Sequence, residues 1–292
     1  MMITAVSVIL GALIGFALTY VFNILPEAWL QDYGFDPKAP GYRPSKRMRP
    51  LREGLVSAIA CALFYGVSAA ICYDDFADKG QIMHITVIMA AVPMVILIAM
   101  ADRLNRIIPD QFSIYMLLLG IVGACGDYID GTYWFSDSAP TYFPLLNRII
   151  AAAIGAGFLW LIEFASETFL GKEGMGQGDM KLLGACGMLC GVYGLVVLIY
   201  AAIIPAVLCA IPLLIRKKLR QTREEREIRA SKDPVAKRRE IRLAKSKMHF
   251  ADDPDYLAFG PFLAFGAGVF LALEPVWADL FMDTLMILGG YF

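Results

Sequence analysis

The run Ile82-Met-His-Ile-Thr-Val-Ile-Met-Ala-Ala-Val-Pro-Met-Val-Ile-Leu-Ile-Ala-Met-Ala-Asp102 decides the fold. As a helix, twenty residues without a formal charge reach ~30 Å, the thickness of a bilayer's hydrocarbon core. Such a stretch predicts a transmembrane helix, and an acid ends it. Outward from this run the same pattern recurs. The 292 residues are 58% hydrophobic and 18% charged, with a mean hydropathy of +0.60, too apolar for a soluble domain of this size. We expect an all-α polytopic membrane protein with about eight transmembrane helices, built as a single domain over 1–292.

Met2–Leu25, Gly54–Tyr73, Ile82–Ala101, Phe112–Cys125 and Arg148–Leu170 read as the first five spans. Met180–Gly191 reads as a half-length sixth, Val192–Ile215 as a seventh, and Phe259–Leu273 begins the eighth. Glu274–Phe292 either completes that span or forms an interfacial helix. Basic residues orient the spans, because they collect in cytoplasmic links. Arg43, Lys46, Arg47, Arg49 and Arg52 crowd the first link, Arg103 and Arg106 the third, Lys172 and Lys181 the fifth, and Arg216 to Lys247 the seventh. The intervening links carry Asp74, Asp75, Asp78, Asp127, Asp130 and Asp137 against Lys79 alone. This alternation predicts an outside N-terminus. The first span has no basic n-region and a positive flank behind it, so it is expected to stay in the membrane. The six cysteines form no C-x-x-C pair and read as small apolar residues, with a Cys72–Cys125 disulfide as the minor alternative.

Acids at or within a membrane are costly, so each is a functional candidate. Asp102 ends the third span. Asp179 opens the sixth in Lys172-Glu-Gly-Met-Gly-Gln-Gly-Asp-Met-Lys-Leu-Leu-Gly-Ala-Cys-Gly187. The expected topology brings both to one cytoplasmic boundary. Two neighbouring carboxyls can share one proton and activate a water for attack on a peptide carbonyl, with no metal and no cofactor. Asp179 at a helix N-terminus, near Lys181, is favoured as the base over Asp102 at a helix C-terminus, although a coupled pair titrates as a unit. Gly174, Gly176 and Gly178 leave room for a substrate backbone, or form an ordinary flexible link. Glu163 and Glu167 share a helix face and read as snorkelling groups.

Three motifs in order, Gly174 to Leu183, Asp102 with Ile108-Pro-Asp110, and Phe259-Gly-Pro-Phe-Leu-Ala-Phe-Gly-Ala267, resemble the type IV prepilin peptidases, a family of membrane aspartic proteases. Gly11 to Pro26 is similar to that family's first helix. The resemblance implies that Asp102 and Asp179 are the catalytic dyad, that Gly176, Gly178, Lys181 and Asp110 shape the site, and that Gly260 and Pro261 border its entrance. It also implies a multi-pass protein of the cytoplasmic (inner, plasma) membrane that removes the basic leader from prepilins or pseudopilins at the cytoplasmic face. Many family members bear paired C-x-x-C zinc motifs after the first span and methylate the new N-terminus. The link 26–53 here has no cysteine, so a four-thiolate zinc site has no ligands there and methylation is doubtful.

The insertion 216–250 holds 14 Lys and Arg against five Asp and Glu and reads as cytoplasmic helix. Anchoring on anionic membrane lipid is its first explanation, and contact with a pilus or secretion assembly the second. Asp252, Asp253 and Asp255 behind it suit recruitment of a basic leader. His84 and His249 are too isolated to suggest a metal site. No phosphate-binding loop is present, and nothing calls for a nucleic-acid partner. The rival reading is a proton- or ion-coupled transporter using the same acids, against which stand their clustering at one boundary and the lack of an internal repeat.

Overall fold

The computed structural model describes residues 2–31, 36–38, 42–71, 79–130, 142–171, 176–231, 233–246, 257–277 and 280. Among the described residues eight α-helices follow one another: α1 (Met2–Ile24), α2 (Leu55–Ile71), α3 (Lys79–Asn105), α4 (Asp110–Asp130), α5 (Phe143–Leu170), α6 (Gln177–Ala230), α7 (Pro234–Ser246) and α8 (Gly260–Ala272). Among the described residues six helices are long and apolar enough to cross a membrane, α1 to α6, while α8 is a shorter apolar helix. The chain is therefore an all-α multi-pass membrane protein.

The expected sixth and seventh spans lie in one element, and the chain reverses within it. Gly191 interrupts α6 with φ 71 and ψ 179, a conformation that essentially only glycine adopts. At its start α6 sits beside Asp102 and the N-terminus of α8. Further along α8, Gly266 packs against Leu198 and Ala202, and then Phe270 packs against Gly194. As numbers rise on α8 they fall on α6, so residues 192–230 run back toward the end from which 177–190 departed. These are two antiparallel arms, a short one of ~21 Å and a long one of ~58 Å. Only the long arm exceeds a bilayer core.

Small residues seat the short arm. Residues 182–191 are all buried. A Cβ added at Gly187 would lie 2.5 Å from the Ala151 carbonyl oxygen, and one at Gly120 would lie 2.5 Å from that of Met188. The backbones of α4, α5 and the short arm therefore touch, as van der Waals packing in lipid favours. Gly155 meets the arm at Leu183, whereas Gly157 has nothing within 4 Å.

One feature departs from the sequence reading. Asp127, expected in an outer link, is helical and buried because α4 continues to Asp130 and Arg148 on α5 reaches it. Cys125 is a free thiol among the described residues. Cys72 itself lies outside the described residues, as do most of Glu274–Phe292.

The link between α1 and α2 folds around Glu27. Its carboxylate accepts from Gln31, the Ser45 N–H and hydroxyl, Tyr42 and Arg47. Arg47 also donates to the Phe22 and Leu25 carbonyls, capping the end of α1. Partial burial alone would raise the Glu27 pKa, but these donors favour the ionised form and hold it down to about 2 from an ordinary 4.5. A lowered carboxylate pKa contributes stability that is complete above the ordinary value and fades as pH falls through the folded one. Glu27→Gln should lower the thermal midpoint at pH 7, and the gap from wild type should close between about pH 4.5 and 2; a constant gap would contradict this.

Candidate active site

Asp102 lies in the last turn of α3 and is buried. Arg106, just beyond the helix, takes a left-handed conformation at φ 61, and its N–H donates to the Asp102 carbonyl at 2.8 Å. Pro109 cannot continue a helix, so the chain turns here and begins α4 at Asp110. The turn tucks Ile108 inward. A Cβ on Gly178 would come 3.2 Å from the Ile108 side chain, and one on Gly260 would come 2.9 Å from it. One isoleucine thus gathers the ends of α3, α6 and α8.

Asp179 sits in the first turn of α6, its N–H donating to the Gly176 carbonyl at 3.1 Å. Gly260 starts α8, with Pro261 at the first turn, where a missing N–H costs nothing. The Gly260 N–H faces the Asp102 carboxylate, with the positive Arg106 nearby, and the charge of Asp102 acts on Asp179. A Cβ on Gly260 would stand 2.6 Å from Asp102 Oδ2, so no larger residue fits without displacing the carboxylate. Asp102 Oδ2 and Asp179 Oδ1 are buried with no hydrogen-bond partner among the described residues. Buried carboxylate oxygens are normally paired, and an orphan at a helix end is where an incoming polar group can bind.

The other residues named from sequence divide. Gly176 and Gly178 border Asp179, while Lys181 reaches away to Asp110 at 2.8 Å, an exposed ion pair that ties the short arm to α4. Glu163 and Glu167 are not among the charges acting on either aspartate. Gly174, His249, Asp252, Asp253 and Asp255 lie outside the described residues.

Sequence reasoning missed the irregular segment 46–48 beside the site. Asn105, one turn beyond Asp102, holds Lys46 by both backbone groups, accepting at 2.7 Å and donating at 3.2 Å. Asn23 holds Met48 in the same way at 2.9 and 3.0 Å. The available signal was Asn105 itself, a polar side chain three residues from Asp102 and on its face.

Residues 89–211 match the model of the Type IV leader peptidase family. A prepilin leader peptidase/N-methyltransferase of Xanthomonas campestris is 32% identical over 129 residues, covering 43% of this chain and 40% of that protein. One of Neisseria gonorrhoeae is 28% identical over 116 residues, 40% of this chain and 36% of that protein. A third, of Dichelobacter nodosus, is 26% identical over 162 residues, 56% and 49% of the two chains. The chain thus spans less than half the length of these curated relatives. No solved structure matches.

Two substitutions separate the roles of these neighbours. Lys181→Met, which removes an exposed pair, should change unfolding stability by less than ~1 kcal/mol. Gly260→Ala, which forces a methyl against Asp102, should cost ~1–3 kcal/mol. Denaturant unfolding in detergent measures both, and the reverse order would overturn the packing described.

Proposed function

We propose that this chain is a member of the type IV leader peptidase family, an aspartic endopeptidase that removes the basic leader from prepilin or pseudopilin substrates. The observation that carries this reading is the meeting of Asp102 and Asp179, two carboxylates from distant helices, each with a buried oxygen left unpartnered. The ionised member takes a proton from water as the oxygen attacks the scissile carbonyl. The protonated member supports the developing oxyanion and then feeds the leaving amine. Asp179, in the first turn of a helix, is the preferred base because the helix dipole favours its charge.

Gly176, where an added Cβ would meet only the Asp179 carboxylate at 3.8 Å, leaves a side-chain-free approach that suits an extended peptide, Gly178 shapes the site by packing on Ile108, and Gly260 and Pro261 form the opposite lip. Lys181 and Asp110 shape the site by fixing the short arm against α4. The basic residues of the links around 43–52, 103–106 and 216–246 fit a cytoplasmic orientation of the dyad in the inner membrane, where leaders are cut. Beyond the substrate, the basic segment 216–250 suits anionic lipid and contacts with a pilus or secretion assembly. The relatives' names join peptidase to methyltransferase. The cysteine-free link 26–53 has no ligands for a four-thiolate zinc site and lends methylation no support. The family match gives the transporter alternative no support.

The test is cleavage of a membrane-embedded prepilin with a basic leader by purified wild type, Asp102→Asn and Asp179→Asn. Each variant should retain its fold and lose about 10²-fold or more in rate, the usual contribution of an acid or base. Wild-type cleavage by either folded variant would falsify the dyad.

A further inference from the structure

The short arm of α6 begins at the dyad and ends, after only ~21 Å, inside the membrane. Its last residues are buried, so the carbonyls at this helix end need donors from the protein. They find one. Arg148 of α5, itself buried, donates to the Met188 carbonyl at 3.3 Å and to that of Leu189. The same guanidinium binds Asp127 Oδ2 on α4, with both contacts at 2.7 Å. Its neighbour Asn147 accepts from the Val192 N–H at 3.3 Å, holding the first residue after the reversal. A Cβ on Gly123 would lie 3.1 Å from the guanidinium, so α4 is bare where it passes.

The cluster also reaches the other aspartate's helix. His84, near the start of α3, lies 3.5 Å from Asp127 Oδ1 and 3.8 Å from Glu274 beyond α8. Asp102 is 18 residues further along the same α3, and Asp179 is ten residues before Leu189 on the arm. Both aspartate-bearing helices therefore meet one buried ion pair at their ends remote from the site, the α6 arm through hydrogen bonds and α3 through the His84 contact.

We propose that Arg148, held by Asp127, is a positioning residue that fixes the axial register of the Asp179 arm against the Asp102 helix. The reason is mechanical. A helix moves along its axis as a unit, so a cap that clamps its C-terminal carbonyls also sets the height of its N-terminal carboxylate. Displacement of a reacting group by about 1 Å can cost ~10²-fold in rate. Removing one partner alone leaves a buried charge and can unfold the protein, whereas replacing both with apolar residues of similar volume is often neutral for stability. The double variant therefore separates register from folding.

This inference rests on the peptidase reading, so the experiment has two independent arms. Purified Arg148→Met/Asp127→Leu and Arg148→Lys are compared with wild type for kcat and KM on a prepilin with a basic leader, and for amide exchange over 177–190. The double variant should fold with a lowered thermal midpoint, because the Met188 and Leu189 carbonyls lose their donor, and should lose roughly 10²-fold in kcat with KM little changed and exchange faster along the arm. Arg148→Lys, which keeps the charge and part of the cap, should recover an intermediate kcat. Wild-type kcat in a folded double variant overturns the proposal, whether or not exchange rises. Should the double variant not fold, Arg148→Lys decides alone, and wild-type kcat with wild-type exchange overturns the proposal. If wild type cleaves no prepilin, the functional reading fails, while unaltered exchange in either variant still sinks the clamp.

Discussion

The contact between the backbone of the short α6 arm and those of α4 and α5 is the constraint on which the rest depends. Gly187 lets the arm reach the Ala151 carbonyl, and Gly120 lets α4 reach that of Met188. Lipid supplies no hydrophobic drive between helices, so this close approach is where dispersion must supply cohesion. An alanine at either glycine would push helices apart. The arm carries Asp179 at one end and the carbonyls that Arg148 caps at the other, so separation would disturb both.

Much of this arrangement could be read in advance. An apolar run ended by Asp102 and a glycine turn followed by Asp179 are local signals, as is the half-length of the segment ending at Gly191. What local pattern cannot supply is which helix ends meet. Lys181 lies two residues from Asp179 and was expected to act on it, yet successive helical positions point in different directions and Lys181 meets Asp110 instead. Asp127 read as one more acid in an outer link. Its partner Arg148 is 21 residues away on another helix, and neither charge announces burial.

The same physics of helix termini appears at both ends of the bundle. Arg47 caps α1 from a link outside the membrane, in a network with Glu27, and Arg148 caps the α6 arm from inside it, in a pair with Asp127. Arginine suits both places because a planar fork can bind carbonyls and a carboxylate at once. In the link the arrangement orders an otherwise irregular loop beside the site. Within the bundle it allows a helix to stop short of a full span.

That early stop bears on how the chain enters a membrane at all. The 177–190 arm, with Asp179 and Lys181 near its start, is too short and too polar to partition alone, since a stable span takes about 20 largely apolar residues. The long arm that follows Gly191 is apolar enough to insert. A reversal of one glycine between them leaves no loop to thread, so the two arms must integrate together as a hairpin. Biogenesis of the site thus waits on the synthesis of a helix that contributes no catalytic group to it.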